Sequence, residues 1–363
     1  MRGEPIRILH VLGGVNLGGA ESRIMELYRK CNRDIVQFDF MVHTRERGYF
    51  QDEIESLGGK VYHISRFNLV NLIKYKSEWK DFFNNHKYYK VVHGHMTSTA
   101  ALYLPIASKN GVKLTIAHAR SAGVDKGIKG IVTRLLRRNL YKKCDICIAC
   151  SKEAAKAVFP KNKDTIIIPN GINTCDFIYD INESKKLKRE LKIDGKYVLG
   201  HVGRFHSAKN HEFLIDVFSE YNKLNDNSVL VLLGEGSLVN SIKEKVSKLA
   251  LDDKVLFLGN RNPISEYLQI IDYFVFPSIY EGMPGSVVEA QAMGIKCLVS
   301  ENVTRDVKLC DLVEFMSIND SAYRWAEFIN NNCIYERRTR ADEIKQAGFD
   351  VSSQLEKLME IYN

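Results

Sequence analysis

The sequence predicts two α/β units in tandem, each built on a doubly wound parallel sheet. Three observations carry that expectation. The 363 residues exceed what one hydrophobic core usually holds. Short apolar runs alternate with helix-like segments, the pattern of a parallel sheet with helices on its faces. The alternation also stops at a polar, charged stretch over residues 180–192 and then restarts.

In the first series, residues 6–12 read as a strand. Gly13-Gly14 and Gly18-Gly19 bracket a loop, and residues 20–30 read as a helix with Ile24, Leu27 and Tyr28 on one face. A strand at 38–42 and a helix at 51–57 follow, the helix stopped by Gly58-Gly59. Residues 61–64, 91–92, 114–117 and 145–149 are further short strands, and 166–168 is a last one, broken by Pro169-Asn170-Gly171. The second series places strands at 197–202, 229–233, 255–258, 273–276 and 296–300. A closing helix over 352–362 lines up Leu355, Leu358, Met359 and Tyr362. The expected domains are 1–175 and 176–345, with a terminal helix in 346–363.

Composition narrows the function. With 45% apolar and 26% charged residues the chain reads as a soluble globular protein. No apolar run approaches the ~20 residues of a membrane span, and the first strand is too short for a signal-peptide core. Eight cysteines without disulfide-like spacing fit a cytoplasmic protein. Residues 1–175 carry 29 Lys and Arg against 15 Asp and Glu, net +14, and the rest is net −6. A basic first half points to an anionic surface or substrate.

Several motifs are candidates for chemistry. The loop Gly13-Gly14-Val-Asn-Leu-Gly18-Gly19 resembles a dinucleotide fingerprint, but the second strand ends at Met41-Val42-His43 with Asp39 inside it. The ribose-holding acid is therefore misplaced, which leaves close backbone approach to a phosphate or sugar, or a plain tight turn. After the strand at 197–202, Arg204 and Lys209 have the chemistry to clamp a diphosphate without a metal. Gly234-Glu235-Gly236 follows the next strand. His118, at the carboxyl end of a parallel strand, lies where open α/β sheets bind ligands. Cys144, Cys147 and Cys150 lack a fourth ligand, and positions three apart on one strand point to opposite faces, so buried unreactive thiols are expected. His93 with His95, and His206 with His211, lack a metal-binding context; no metal site and no cofactor are predicted. Residues 126–143 hold Lys126, Lys129, Arg134, Arg137 and Arg138 interleaved with Ile131, Val132, Leu135, Leu136 and Leu140. Such a basic amphipathic helix suits an anionic bilayer, and a helix packed on the sheet explains its apolar stripe equally well. No nucleic-acid recognition motif accompanies it.

The densest stretch is 278–294, Ser-Ile-Tyr-Glu-Gly-Met-Pro-Gly-Ser-Val-Val-Glu-Ala-Gln-Ala-Met-Gly. A strand closed by Pro277, a turn at Gly282-Met283-Pro284-Gly285 and a helix to Gly294 make an anion site from free N–H groups and the helix dipole. Glu281 and Glu289 flank it. Together they span a ligand with a phosphate in the middle and hydroxyls at both ends, such as a nucleotide sugar.

These features resemble the retaining glycosyltransferases of family 4, with the GT-B fold, over nearly the whole chain. Glu281 to Glu289 matches the family's Glu-x7-Glu motif, the most specific part. Gly203-Arg204 with Lys209, Gly18-Gly19-Ala20-Glu21 and Pro169-Asn170-Gly171 match too. Glu289-Ala-Gln-Ala-Met-Gly294 and Ala20-Glu-Ser-Arg-Ile-Met-Glu-Leu-Tyr28 are similar to the branch that builds exopolysaccharide and capsule. Gly285, where many relatives carry a bulkier residue, departs from the pattern and leaves the donor sugar open.

The resemblance implies two Rossmann-like domains facing across a cleft, with the terminal helix returning to the first. It assigns the diphosphate to Arg204 and Lys209, the ribose to Glu289, and the donor sugar to Glu281 with Gly282, Met283, Pro284 and Gly285. Gly18 and Gly19 approach the phosphates, and His118 matches the active-site histidine. The expected protein is a metal-independent, retaining transferase on the inner face of the membrane. It moves a sugar from a nucleotide donor, expected to be UDP-linked, to a lipid-linked saccharide. An epimerase or phosphorylase of the same fold, and a non-catalytic partner that binds nucleotide or membrane, are the rival readings.

Overall fold

The computed structural model describes residues 4–120, 127–161 and 163–362. The chain forms two compact units, one of residues 1–171 with 351–363 and one of residues 172–350.

The first unit alternates strand and helix: β1 (Ile6–Leu12), α1 (Gly19–Lys30), β2 (Val36–Val42), α2 (Gln51–Ser56), β3 (Val61–His63) and α3 (Leu72–Asn85). It continues with β4 (Val91–Gly94), α4 (Thr97–Lys109), β5 (Leu114–Ala119), α5 (Gly127–Arg137), β6 (Ile146–Ala149), α6 (Lys152–Val158) and β7 (Ile166–Ile167). All strands are parallel, in the order β3-β2-β1-β4-β5-β6-β7. Every residue of β2 is buried, as expected of a strand covered on both faces. One face packs on Tyr75, Trp79 and Phe83 of α3 and on Ala100, Tyr103 and Leu104 of α4. The other packs on Ile24, Leu27 and Tyr28 of α1.

The second unit contains α7 (Ile181–Glu190), β8 (Tyr197–Val202), α8 (His211–Leu224), β9 (Ser228–Leu233), α9 (Val239–Lys248), β10 (Val255–Gly259) and α10 (Ile264–Leu268). Then come β11 (Tyr273–Phe276), α11 (Gly285–Ala292), β12 (Lys296–Ser300), β13 (Val313–Met316), α12 (Ala322–Asn332) and α13 (Ala341–Gln346). Its parallel sheet runs β10-β9-β8-β11-β12-β13. Strand β13 escapes sequence reading: it is a four-residue edge strand in which only Val313 is fully buried, so no apolar run announces it.

The last helix, α14 (Val351–Tyr362), belongs to the first unit. Val351, Leu358 and Tyr362 join the core around α1, with Leu355 and Met359 packed against it. The two passages between units fall at Gly171–Ile172 and Asp350–Val351 instead of 175/176 and 345/346. The reason is pairing. The Ile172 N–H donates to the Phe349 carbonyl at 2.8 Å, and Thr174 Oγ1 donates to the buried Asp350 at 2.7 Å. Ile172 and Phe349 both sit in the second unit's core.

Two side-chain expectations change with the backbone. Cys144 precedes β6 and does not share a strand with Cys147, so the opposite-faces argument fails and the two Sγ atoms lie 3.7 Å apart. Both are free thiols. Asp39 is fully buried, accepting from Arg7 Nε and Nη2, the Lys60 N–H and the Tyr89 hydroxyl. A carboxylate so fully engaged is structural, which accounts for its failure to complete a dinucleotide fingerprint.

Candidate active site

In the second unit the carboxyl ends of β8 and β11 carry the charged candidates. Chain leaving β8 passes Gly203 to Arg204, whose side chain is exposed and has no partner among the described residues. The loop is pinned from behind. Phe205 is buried, its N–H donates to the Glu235 carbonyl at 2.9 Å, and Gly234 crosses directly over Gly203. Gly234 has φ +136°, and a Cβ there would meet the Gly203 carbonyl oxygen at 2.2 Å, so only glycine fits. Thus Gly234 shapes the cationic loop without having to touch a ligand itself.

Lys209 ends a short 3₁₀ turn, Ser207–Lys209, and its Nζ lies 3.1 Å from Glu281 Oε1. The two side chains are 17% and 26% exposed, half-buried and therefore less screened than surface pairs. The ammonium also sits over the Phe276 ring, 4.5 Å from its centre. The Ile279 N–H donates to the Ala208 carbonyl at 2.8 Å, stitching the two loops together. Sequence reading gave Lys209 and Glu281 to different parts of a ligand; the fold makes them neighbours.

Helix α11 starts at Gly285 with Pro284 as its N-cap and no side-chain cap, so its first N–H groups point into the Glu281–Gly285 turn. Met283 packs on the core and holds that turn down. Glu289 lies one turn into the helix, about 6 Å along its axis, buried at 6% exposure. Its neighbours Val287, Val288, Ala290 and Ala292 are all buried, so this helix is central and not amphipathic. Ser278, at the end of β11, was not singled out in the sequence; it is fully buried and its Oγ has no partner among the described residues. Beneath the loop, His211 stacks on Phe205 with ring centres 4.0 Å apart. Burial, aided by the Lys209 charge, pushes His211 down to about 4, and burial holds His201 well below the usual histidine range. Neutral rings thus back a cationic loop.

The first unit presents a different chemistry. Gly18 is the extended N-cap of α1, Gly19 has open space where a Cβ would stand, and Glu21 occupies the first turn. His118 lies within β5, which runs on to Ala119, and is fully buried. It is one of four histidines on, or just past, adjacent strands. His10 of β1 sits opposite His93 of β4, and His93 Nε2 is 3.0 Å from His118 Nδ1. His95, just past β4, lies 3.0 Å from His10 Nδ1 through its Nε2. Sequence reading missed this cluster because its members are far apart in the chain. The available signal was one histidine near the carboxyl end of each of three apolar strands, which register places on one face.

Arg120 closes the cluster, its Nε donating to His95 Nδ1 at 3.1 Å and its Nη1 to Asn170 at 2.6 Å. Burial first, then the Arg120 charge, pushes His10 down to about 3; burial likewise holds His93, His95 and His118 well below the usual range. Nitrogens of His10, His93 and His95 lie within 4.8 Å of one another, a spacing a metal ion could use. The hydrogen bonds argue against it. Arg120 can only donate, so His95 Nδ1 is a lone pair, its proton is on Nε2, and that atom donates to His10 instead of ligating.

Helix α5 splits its apolar stripe. Leu140, just beyond it, is buried, and the helix packs on α4. Ile131 and Leu135 stay 52% and 64% exposed, with Arg134 and Arg138 exposed beside them and Arg137 half-buried. Positions 131, 134, 135 and 138 share one helical face. Lys126 lies outside the described residues, as does the Lys129 side chain. Among the described residues no helix is long and apolar enough to cross a membrane.

Comparison with known proteins fits this architecture. Residues 17–175 match the profile of Glycosyltransferase Family 4, and residues 183–314 that of Glycosyl transferases group 1. A protein named as glycosyltransferase EpsF, from Bacillus subtilis, is 30% identical over 100% of this chain and 98% of its own. The chain is a family 4 glycosyltransferase. This transferase is also 26% identical to the capsular polysaccharide biosynthesis glycosyltransferase CapH of Staphylococcus aureus, over 98% of each chain. It is 27% identical to the UDP-Gal:α-D-GlcNAc-diphosphoundecaprenol α-1,3-galactosyltransferase of Escherichia coli, over 81% of this chain and 79% of that one. Among solved structures, Anabaena HepE in complex with UDP-glucose superposes with a TM-score of 0.79 at 18% identity, covering 98% of both chains. The transferase therefore has the GT-B fold of two parallel α/β sheets.

Proposed function

We propose that the transferase moves a sugar from a UDP-sugar to a lipid-linked saccharide during exopolysaccharide or capsule assembly, with retention and without a metal. The observation that carries this reading is the half-buried Lys209–Glu281 pair beside Arg204 and the uncapped N-terminus of α11. Breaking a glycosyl–phosphate bond builds negative charge on the leaving diphosphate. Arg204, Lys209 and the helix N-terminus stabilise that charge from fixed positions, the role a divalent cation plays elsewhere. When the diphosphate takes up Lys209, Glu281 is freed towards the sugar, and the buried Glu289 takes the ribose hydroxyls. In this reading the two glutamates hold the donor sugar and the ribose and are not a carboxyl pair about the scissile bond, unlike those of retaining glycosidases; the acceptor attacks from the leaving-group side and the departing phosphate takes its proton. His118 serves the sugar or acceptor side.

The E. coli relative is named for a UDP donor and a diphosphoundecaprenol-linked acceptor, and CapH for capsular polysaccharide; both support the substrate classes proposed. The exposed face of α5, with Ile131 and Leu135 between Arg134 and Arg138, suits an anionic bilayer, which supports a location on the inner membrane surface. The test is a binding panel of UDP-, GDP- and ADP-sugars followed by transfer to a diphospholipid-linked saccharide. We expect a UDP-sugar to bind best and transfer to survive EDTA with retained configuration. Full transfer by both Lys209→Ala and Glu289→Gln would sink the site assignment. A new sugar nucleotide formed without acceptor would show an epimerase instead.

A further inference from the structure

We propose that Tyr362 and His93 are positioning residues that fix the tautomer of His118, so that His118 offers the reactants an Nε2–H donor instead of a basic lone pair. The inference rests on the reading above, which places His118 in the reaction.

The contacts form a short chain. The Tyr362 hydroxyl, at the end of α14, lies 2.6 Å from His93 Nδ1. His93 Nε2 lies 3.0 Å from His118 Nδ1, and the two rings stack with centres 5.1 Å apart. His93 and His118 are fully buried and Tyr362 is 4% exposed. Burial keeps both imidazoles neutral and raises the phenol, so each group holds one mobile proton. Among the described residues the phenol has one partner, His93.

A buried hydroxyl proton needs an acceptor, and among the described residues His93 Nδ1 is the one placed to take it. His93 must then carry its proton on Nε2 and donate it to His118 Nδ1. His118 is left with its proton on Nε2, the nitrogen that has no partner among the described residues. The opposite sense would strand the phenol proton in a site without an acceptor. A second chain runs beside the first. Arg120, which can only donate, fixes His95, and His95 fixes His10, whose Nε2 also ends without a partner among the described residues. Two donors at the head of two chains thus polarise the cluster in the same direction.

A neutral N–H suits a hydroxyl or phosphate oxygen of donor or acceptor. It also removes His118 from the role of general base. The terminal helix acquires a task beyond packing, because its last turn supplies the proton that sets the relay.

The test uses the full-length chain labelled with ¹⁵N-histidine, the His118 resonances being identified from their loss in His118→Gln. Wild type should show His118 as the Nε2–H tautomer at neutral pH, a measurement that needs no folding-sensitive variant. Tyr362→Phe should give a tautomer mixture and lower kcat roughly fivefold to tenfold, with the donor KM within about twofold. His93→Gln, which keeps a donor towards His118, should retain more activity than His93→Leu, and adding Tyr362→Phe to it should change little. A wild-type Nδ1–H tautomer would overturn the proposal. So would a Tyr362→Phe enzyme with unchanged tautomer and kcat. Full transfer by His118→Gln would instead remove the reading of His118, and the tautomer measurement would still decide the relay.

Discussion

The two units share a strand order and differ in what they place at the strand ends. In the second, the carboxyl ends of β8 and β11 carry an exposed Arg204 and a half-buried Lys209–Glu281 pair. In the first, the equivalent ends of β1, β4 and β5 carry four buried, neutral histidines and Arg120. One surface is charged and wet, fitted to stabilising a charge that develops on a ligand. The other is desolvated, fitted to holding protons at fixed atoms. Topology fixes where a site can lie; a few residues at the strand ends fix what it can do.

The largest expected effect tests the charged end. Lys209→Ala removes a fixed cation and leaves Glu281 without its partner, so kcat/KM for transfer should fall roughly 10²–10³-fold. The same substitution should leave the first unit's stability unchanged; a general loss of folding would mean that the pair is structural.

Next comes the first unit's own ionic anchor. Asp39→Asn leaves the half-buried Arg7 guanidinium and the buried Tyr89 hydroxyl poorly matched and should cost about 1–3 kcal/mol of stability. Chemical denaturation followed by Trp79, which lies in this unit's core, reports it directly. Trp325 lies in the second unit's core and should report little change.

Acid should separate the units further. A histidine whose folded pKa is depressed stabilises the fold above its unfolded value of about 6.5, and that contribution is lost as pH falls towards the folded value. His10 and His211 are pushed down to about 3 and about 4. The first unit also holds His43, His93, His95 and His118 below the usual range, whereas the second adds only His201 among the described residues. Between pH 6.5 and 4 the unfolding midpoint seen by Trp79 should therefore drop more than that seen by Trp325, in single-tryptophan variants. Equal drops would contradict the contrast between the units.

The smallest effect concerns the surface of the first unit. Arg134→Glu with Arg138→Glu should weaken binding to phosphatidylserine vesicles by at least about 2 kcal/mol, at roughly 1 kcal/mol per basic residue. Transfer to a short-chain acceptor in detergent should persist. Unchanged sedimentation with vesicles would point to the other use of this helix, packing alone.

Much of this was legible in the sequence because it is local. Each strand of the tandem sheets except β13 announces itself as an apolar run, and the 278–294 stretch contains its own strand, turn and helix start. The two carboxylates there need no other part of the chain to be noticed. Sequence reading fell short where partners are distant. The spacing rule for Cys144 and Cys147 assumed a strand that begins only at Ile146. The passages between units lie where Ile172 meets Phe349, a pairing no local pattern announces.

By itself the sequence determined the alternation of elements, the glycine turns and the residues able to carry charge at the strand ends, since these follow from period and composition. Only the tertiary structure decided who meets whom. It turned Lys209 and Glu281 into a pair, buried Asp39 in a network of its own, and gathered His10, His93, His95 and His118 from three strands under Tyr362 of the last helix. Parallel register brings residues from separate strands within hydrogen-bond reach, and burial then sets their protonation. Neither register nor burial is written in any one segment.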